Sequence, residues 1–351
     1  MRQVESESEV LKTLLVYPLT AAGGYLFYKL GLPLPWMIGP IIVAAAIGIF
    51  ELFEFRIPVQ TRPFGQMVVA SQVGLSFSPA VFASLLQLAP LLVGMAIVII
   101  ITAFLIAIAL SRMARVPLTS AMIATLPTSP VEAAIVGERY GFPPAPIILS
   151  QTMRISLVVV LIPMAIFFID GETARVARAF NADYDIVSIV SLLVLSGIGM
   201  YLFRKLKISN PFFLGPLAFS SAITAAGIQF EPYPSVILWA AQVVLGTWLG
   251  SNFRRSLFSS AGRMMVASVV STFMFIAASA LIAAGLSVFV DLSWETLVLA
   301  STPGGVTEMA LTAKFLGIDV ALITAFHLTR IFIVIPSIPF IIDRIHRLEG
   351  R

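Results

Sequence analysis

The chain contains no cysteine, so disulfides, zinc–thiolate sites and thiol catalysis are excluded. Its 351 residues include two histidines, His327 and His346, too few for an all-histidine metal centre within one chain. Charge is scarce too. Asp, Glu, Lys and Arg make up 11% of the residues, against about 25% in a soluble domain. The remainder is apolar, 59% hydrophobic with a mean hydropathy of +1.00, which predicts an all-α polytopic membrane protein. No ATP-binding motif occurs, and no cofactor is implied. The pI near 9.5 is read as Lys/Arg-rich cytoplasmic loops and not as nucleic-acid binding. A polar, acidic start with Glu5, Glu7 and Glu9 argues against a cleaved signal, so the first apolar run is read as a retained helix.

What the sequence does have is an internal repeat at a constant offset of 176. Gly23, Tyr25, Leu26, Phe27, Lys29 and Leu30 recur as Gly199, Tyr201, Leu202, Phe203, Lys205 and Leu206. Pro35, Gly39 and Pro40 recur as Pro211, Gly215 and Pro216; Gly141, Arg154 and Pro163 recur as Gly317, Arg330 and Pro339. A fixed register over a whole half argues for duplication. The expected organisation is a first repeat over 1–169, a polar linker over 170–185 and a second repeat over 186–351.

Each half offers six apolar segments: 14–30, 36–50, 65–77, 86–110, 118–136 and 147–168, then 186–203, 212–228, 236–250, 264–290, 296–316 and 319–342. Several are near or below the roughly 20 residues that span a bilayer. If the fifth segment of each half enters and leaves on one side, Arg56, Arg62, Arg112, Arg115, the Arg204–Lys207 cluster, Arg254, Arg255, Arg263 and the Arg344/Arg347/Arg351 tail all face the cytoplasm. The acidic linker, Asp291 and Glu295 then fall outside. Five crossings per half, an odd number, make the halves inverted repeats, as in many secondary transporters. Both termini are expected in the cytoplasm, and the protein in a bacterial inner membrane.

The fifth segments are also where the sequence interrupts itself. Leu126-Pro127-Thr128-Ser129-Pro130 cannot be continuous helix, because each proline removes a backbone donor. Its counterpart, Thr302-Pro303-Gly304-Gly305, adds two glycines that free the backbone to bend or to approach a ligand. Backbone breakers and ionisable groups are both costly at membrane depth, which makes 301–330 and its earlier copy the candidate site. Ser129-x-x-Glu132 and Gly305-x-x-Glu308 have capping-box spacing, so the two glutamates either cap helix starts or bind a proton or cation. Arg154 and Arg330 either pair with these acids or capture an anionic or zwitterionic solute. His327 lies three residues before Arg330, with non-titrating Gln151 as its counterpart; it is either a satisfied polar contact or a coupling residue. Thr128, Ser129 and Gly304 complete the candidate set. On the third segments, Gln66, Ser71, Gln72, Gln242, Thr247, Ser251 and Asn252 are further polar positions, and Gly74, Gly246 and Gly250 predict close helix packing.

The pattern Pro-Gly-Gly-x-x-Glu-Met-Ala followed by an Arg-bearing helix, preceded twice by Leu-Pro-x-x-x-Gly-Pro or its like, resembles the AbrB-type duplicated inner-membrane proteins. In this chain the motif falls on Pro303, Gly304, Gly305, Glu308, Met309 and Ala310, with Arg330 following, and the resemblance covers nearly the whole chain. The first copy departs from it, Pro127-Thr128-Ser129 replacing Pro-Gly-Gly. The resemblance implies related, not identical, roles for the two breaks. Members carry the labels ammonia monooxygenase and AbrB family transcriptional regulator. Neither label suits these residues: there is no histidine-rich redox-metal set and no soluble DNA-reading element. The expectation is an ion-coupled transporter or exporter of a small solute, with no catalytic or metal residues. A non-transporting membrane sensor or scaffold is the alternative, and a homo-oligomer is left open.

Overall fold

The computed structural model describes residues 2–55, 57–170 and 184–349. Most of the predicted linker, together with Arg56 and Arg351, lies outside these. Fifteen α-helices and one short 3-10 turn form the described chain, without strands. Five helices are long and apolar enough to cross a membrane: Ala89–Ala114, Pro144–Ile169, Ile186–Lys205, Gly262–Leu286 and Val320–Glu349.

The first half contains α1 (Arg2–Lys29), α2 (Pro35–Ile49), α3 (Arg62–Gly74), α4 (Pro79–Gln87), α5 (Ala89–Ala114), α6 (Leu118–Thr125), α7 (Pro130–Arg139) and α8 (Pro144–Asp170). The second contains α9 (Ile186–Lys205), α10 (Pro211–Ala225), α11 (Ser235–Gly250), α12 (Arg255–Leu286), α13 (Trp294–Ser301), α14 (Val306–Leu316) and α15 (Val320–Glu349). Every predicted apolar segment has its helix, and both fifth segments are split at their prolines. One helix was not expected. α4 follows α3 after a bend of 88° and contains no buried residue, so no core-facing periodicity marked it. α12 is kinked at Gly262 (φ 44°), just ahead of the fourth segment of the second half.

Two compact units result: unit 1 is Met1–Gln87, Phe167–Arg254 and Ala310–Ala321, and unit 2 is Leu88–Ile166, Arg255–Met309 and Leu322–Arg351. Neither coincides with a sequence half. Each takes equivalent segments from both.

Unit 1 is assembled on glycines. α2 and α10 each start after a left-handed residue, Leu34 (φ 42°) and Asn210 (φ 49°), with a proline at the first helical turn. A Cβ on Gly39 would lie 2.6 Å from Gly23 O, so α1 and α2 cross with their backbones nearly touching. Gly215 meets Gly199 in the same manner where α9 crosses α10. Gly74 of α3 abuts Ser220 of α10, and Gly250 of α11 abuts Ile41 and Ala44 of α2. Small residues of this kind let apolar helices approach closely enough for dispersion to hold them. Three of the polar third-segment residues are spent on internal bonds: Gln72 Oε1 accepts from Tyr233 N (2.8 Å), Ser71 meets the Tyr233 hydroxyl (3.2 Å), and Thr247 meets Thr20 (2.8 Å).

Unit 2 is built round α5, α8, α12 and α15, with the broken pairs α6/α7 and α13 plus the start of α14. Leu110, Ala121, Met122, Ile123, Leu126, Ile147, Val334 and Ile342 belong to one buried apolar cluster. At one end, Glu349 of α15 accepts from Thr119 N (3.0 Å) and from Leu118 N, capping the start of α6.

Candidate functional site

The two breaks in unit 2 are built alike. Leu126 (φ −55°, ψ 130°) and Thr302 (φ −73°, ψ 131°) end their helices in extended conformation, as the residue before a proline prefers. Across each proline a tight three-residue turn closes, Thr128 N donating to Leu126 O and Gly304 N to Thr302 O, both at 2.8 Å. The next helix then begins, with Ala133 N donating to Ser129 O (3.0 Å) and Met309 N to Gly305 O (2.9 Å).

A proline N–H is missing at 127 and at 303, so the carbonyls four residues earlier, Ile123 O and Leu299 O, lose their helical partner. Side chains from the sixth segments replace it. Gln151 Nε2 donates to Ile123 O (3.0 Å) and Leu126 O (2.8 Å). His327 Nε2 lies 3.1 Å from Leu299 O. A carbonyl oxygen can only accept, so Nε2 carries the ring hydrogen and Nδ1 is left bare and without a partner.

One turn further along, the arginines do the same for the rest of each break. Arg154 Nη1 donates to Thr125 O (2.7 Å) and its Nη2 to Gln151 Oε1. Arg330 Nη1 donates to Thr302 O (3.2 Å) and Nη2 to Gly304 O (2.9 Å). Both guanidiniums are interior, at 4% and 2% exposure, and each Nε is buried without a hydrogen-bond partner. The Phe275 ring of α12, itself buried, lies 5.5 Å from Arg154 Cζ.

The acids sit at the starts of the second half-helices. Ser129 Oγ accepts from Glu132 N (3.2 Å), the cap the spacing predicts, and Thr128 Oγ1 donates to Glu132 Oε2 (2.7 Å). Glu308 is buried, and its carboxylate folds back over Gly305 into the space a Cβ there would fill. Only glycine leaves room for that carboxylate at its own helix start, which accounts for Gly305 without any appeal to a ligand.

The structure thus brings Thr128, Ser129, Glu132 and Arg154 to one break, and Gly304, Gly305, Glu308, His327 and Arg330 to the other. Sequence reasoning did not anticipate Phe275, an apolar residue in an apolar run, nor that the arginines would hold backbone carbonyls, because spacing does not reveal an acceptor. Gln151 was visible only as the partner of His327 in the repeat.

Nearly the whole chain is similar in sequence to known proteins. The sequence model of a family described as "Transition state regulatory protein AbrB" matches residues 2–127 and 36–346. The chain is 27% identical over 371 residues to the "Uncharacterized protein YhjN" of Bacillus subtilis (strain 168), covering 99% of this chain and 96% of the relative. It is 21% identical over 317 residues to the "Putative regulator AbrB" of Escherichia coli (strain K12), covering 90% and 91%. With a family match across nearly its full length and the proline-broken segments that carry the resemblance in position, the chain belongs to the AbrB family.

Proposed function

We propose that this protein is an ion-coupled secondary transporter, or exporter, of a small solute, with its substrate site at the two broken segments of unit 2. One observation carries the reading. Two breaks of the same construction lie in a single compact unit, each fastened by a buried arginine. Broken helices and buried charge are both disfavoured at membrane depth and are kept where a solute or ion must be handled. Glutamates at the half-helix starts of such breaks suit a coupling proton or cation.

The repeat supports an inverted architecture of five crossings per half with the broken fifth segment re-entrant. Left-handed residues recur 176 apart, at Gly31 and Lys207, Leu34 and Asn210, Glu51 and Gly227, and Gly141 and Gly317. The glycine crossings of unit 1 recur in the same register. The charge pattern favours a cytoplasmic-membrane location with both termini inside. No enzymatic role is proposed.

The test is flux in liposomes. Purified protein is expected to give solute- or proton-dependent flux that disappears in Glu308→Gln and Arg330→Ala while both variants remain folded. Wild-type flux unaltered by either change removes the site assignment. The name of the Escherichia coli relative supports a second reading, a non-transporting membrane regulator. Absence of flux for every solute tested, with a stable protein partner co-purifying, selects that one.

A further inference from the structure

We infer that unit 1 holds a binding site of its own, an aromatic-walled cavity for a small ring-bearing organic anion such as an aromatic carboxylate. Every residue lining it belongs to unit 1, so the inference does not rest on the transport reading of unit 2.

The cavity has a volume of about 280 Å³, near the lower end of the roughly 300–1,000 Å³ of small-molecule pockets. It lies where the end of α1, the start of α2, the first half of α11 and the end of α14 come together. Three of these helices each contribute a ring to its wall. Trp36 of α2 and Trp239 of α11 stack at 4.9 Å between centroids and 19° between planes. Tyr28 of α1 is tilted against both, at 6.1 and 5.7 Å. All three are half-buried. A membrane-interface belt spreads such rings over the outer surface; here they converge on one cavity. A flat unsaturated ring is the body that offset-stacked and tilted aromatic neighbours accommodate best.

The sign of the charge comes from the rest of the wall. Lys314, in the last turn of α14, lines the cavity, and among the described residues no carboxylate does. The Lys314 ammonium forms no ion pair or hydrogen bond with the described residues. A ring cluster alone would also suit a cation, but an ammonium in the same wall repels one. Gln242 adds a side-chain amide. An ammonium and an amide beside stacked rings match a carboxylate joined to an aromatic body.

The repeat indicates that the fold itself does not require these side chains. At the offset of 176, Tyr28, Trp36 and Lys314 correspond to Arg204, Phe212 and Glu138, and Trp239 corresponds to Pro63. The three rings and the lysine therefore occur together in one copy only.

The experiment reads tryptophan fluorescence of the full chain in detergent, since two of its four tryptophans line the cavity. Sodium benzoate is the probe, compared at constant ionic strength with benzamide, sodium hexanoate and benzylammonium chloride. Benzoate is expected to change the emission saturably, and benzamide to bind roughly tenfold or more weakly for want of the charge-assisted bond. Lys314→Gln is expected to weaken benzoate by the same factor and to leave benzamide unchanged, which a merely structural lysine would not do. The double variant Trp248→Phe, Trp294→Phe leaves Trp36 and Trp239 as the sole reporters and is expected to keep the benzoate signal. Should a variant fail to fold, the comparison of the four probes on the wild type still decides. The inference is overturned if benzoate gives no saturable change, if benzylammonium or benzamide binds as tightly as benzoate, or if Lys314→Gln leaves benzoate affinity intact. Loss of the signal in a folded double variant overturns it as well. Equal binding of hexanoate makes the ligand an acyl-chain carboxylate and removes the ring from the assignment.

Discussion

Pro303 has no N–H to give, and the carbonyl it strands on Leu299 takes its hydrogen bond from His327. Pro127 strands Ile123 O in the same way, and Gln151 supplies the donor there. Two side chains of different chemistry thus do one job at equivalent positions. His327→Gln should therefore change stability by less than about 1 kcal/mol, whereas His327→Leu should lose about 1–3 kcal/mol through an unsatisfied buried carbonyl. Thermal unfolding in detergent measures both. If flux is found, its pH profile should survive His327→Gln, because the bond to Leu299 does not depend on a titrating ring; a displaced profile would restore His327 as a coupling residue. From sequence this histidine is conspicuous for its pKa range. In the fold its conspicuous property is a donor in the right place, and no spacing rule distinguishes the two.

Among the helices, the crossings are the sensitive points. Gly39→Ala and Gly215→Ala each drive a Cβ into a neighbouring backbone that has no side chain to swing aside, and each should destabilise by about 1–3 kcal/mol. Gly94, inside α5 with nothing within 4 Å of a Cβ, should by contrast gain about 0.5–1 kcal/mol on substitution by alanine. Unfolding midpoints of the three variants, compared side by side, check the assignment. The α6 start makes a different demand. Burial raises the Glu349 carboxyl, but the Thr119 hydroxyl, the Thr119 and Leu118 amides and the His346 charge outweigh it and hold it below the ordinary glutamate range. A depressed carboxylate contributes stability that is complete above its unfolded-state pKa and is lost as pH falls through the folded value. The unfolding temperature should accordingly drop on the acid side, and Glu349→Gln should remove that part of the pH dependence.

Helix positions were largely legible because long apolar runs and their prolines mark both extent and interruption. α4 was not, since its apolar residues run on into those of α5, and the 88° bend that sets it off from α3 is a property of the fold. For the breaks, the proline and glycine positions were readable, and so was the Ser129 cap. What the arginines bond to was not, because a guanidinium accepts carboxylate, carbonyl or ligand oxygen equally well on spacing alone.

At the scale of the whole molecule, the first three segments of both halves gather in unit 1 and most of the last three in unit 2. Sequence halves and compact units are therefore different divisions of one chain, and the linear order conceals the second. Membrane orientation is the property this leaves to measurement. Because the chain has no cysteine, Arg112→Cys and Lys207→Cys introduce single labelling sites without further changes. Both should react from the cytoplasmic side. Reaction from opposite sides would remove the inverted five-crossing arrangement.

The side-chain fastening of the breaks has a mechanical meaning. At an ordinary proline interruption, water satisfies the stranded carbonyls and the chain can flex. Here α8 supplies bonds to Ile123, Thr125 and Leu126, and α15 supplies bonds to Leu299, Thr302 and Gly304. Bending either break alone would forfeit up to three of these bonds in a dry interior. Each is thus a welded corner with almost no freedom of its own, and a displacement of α8 or α15 carries its corner along as one piece.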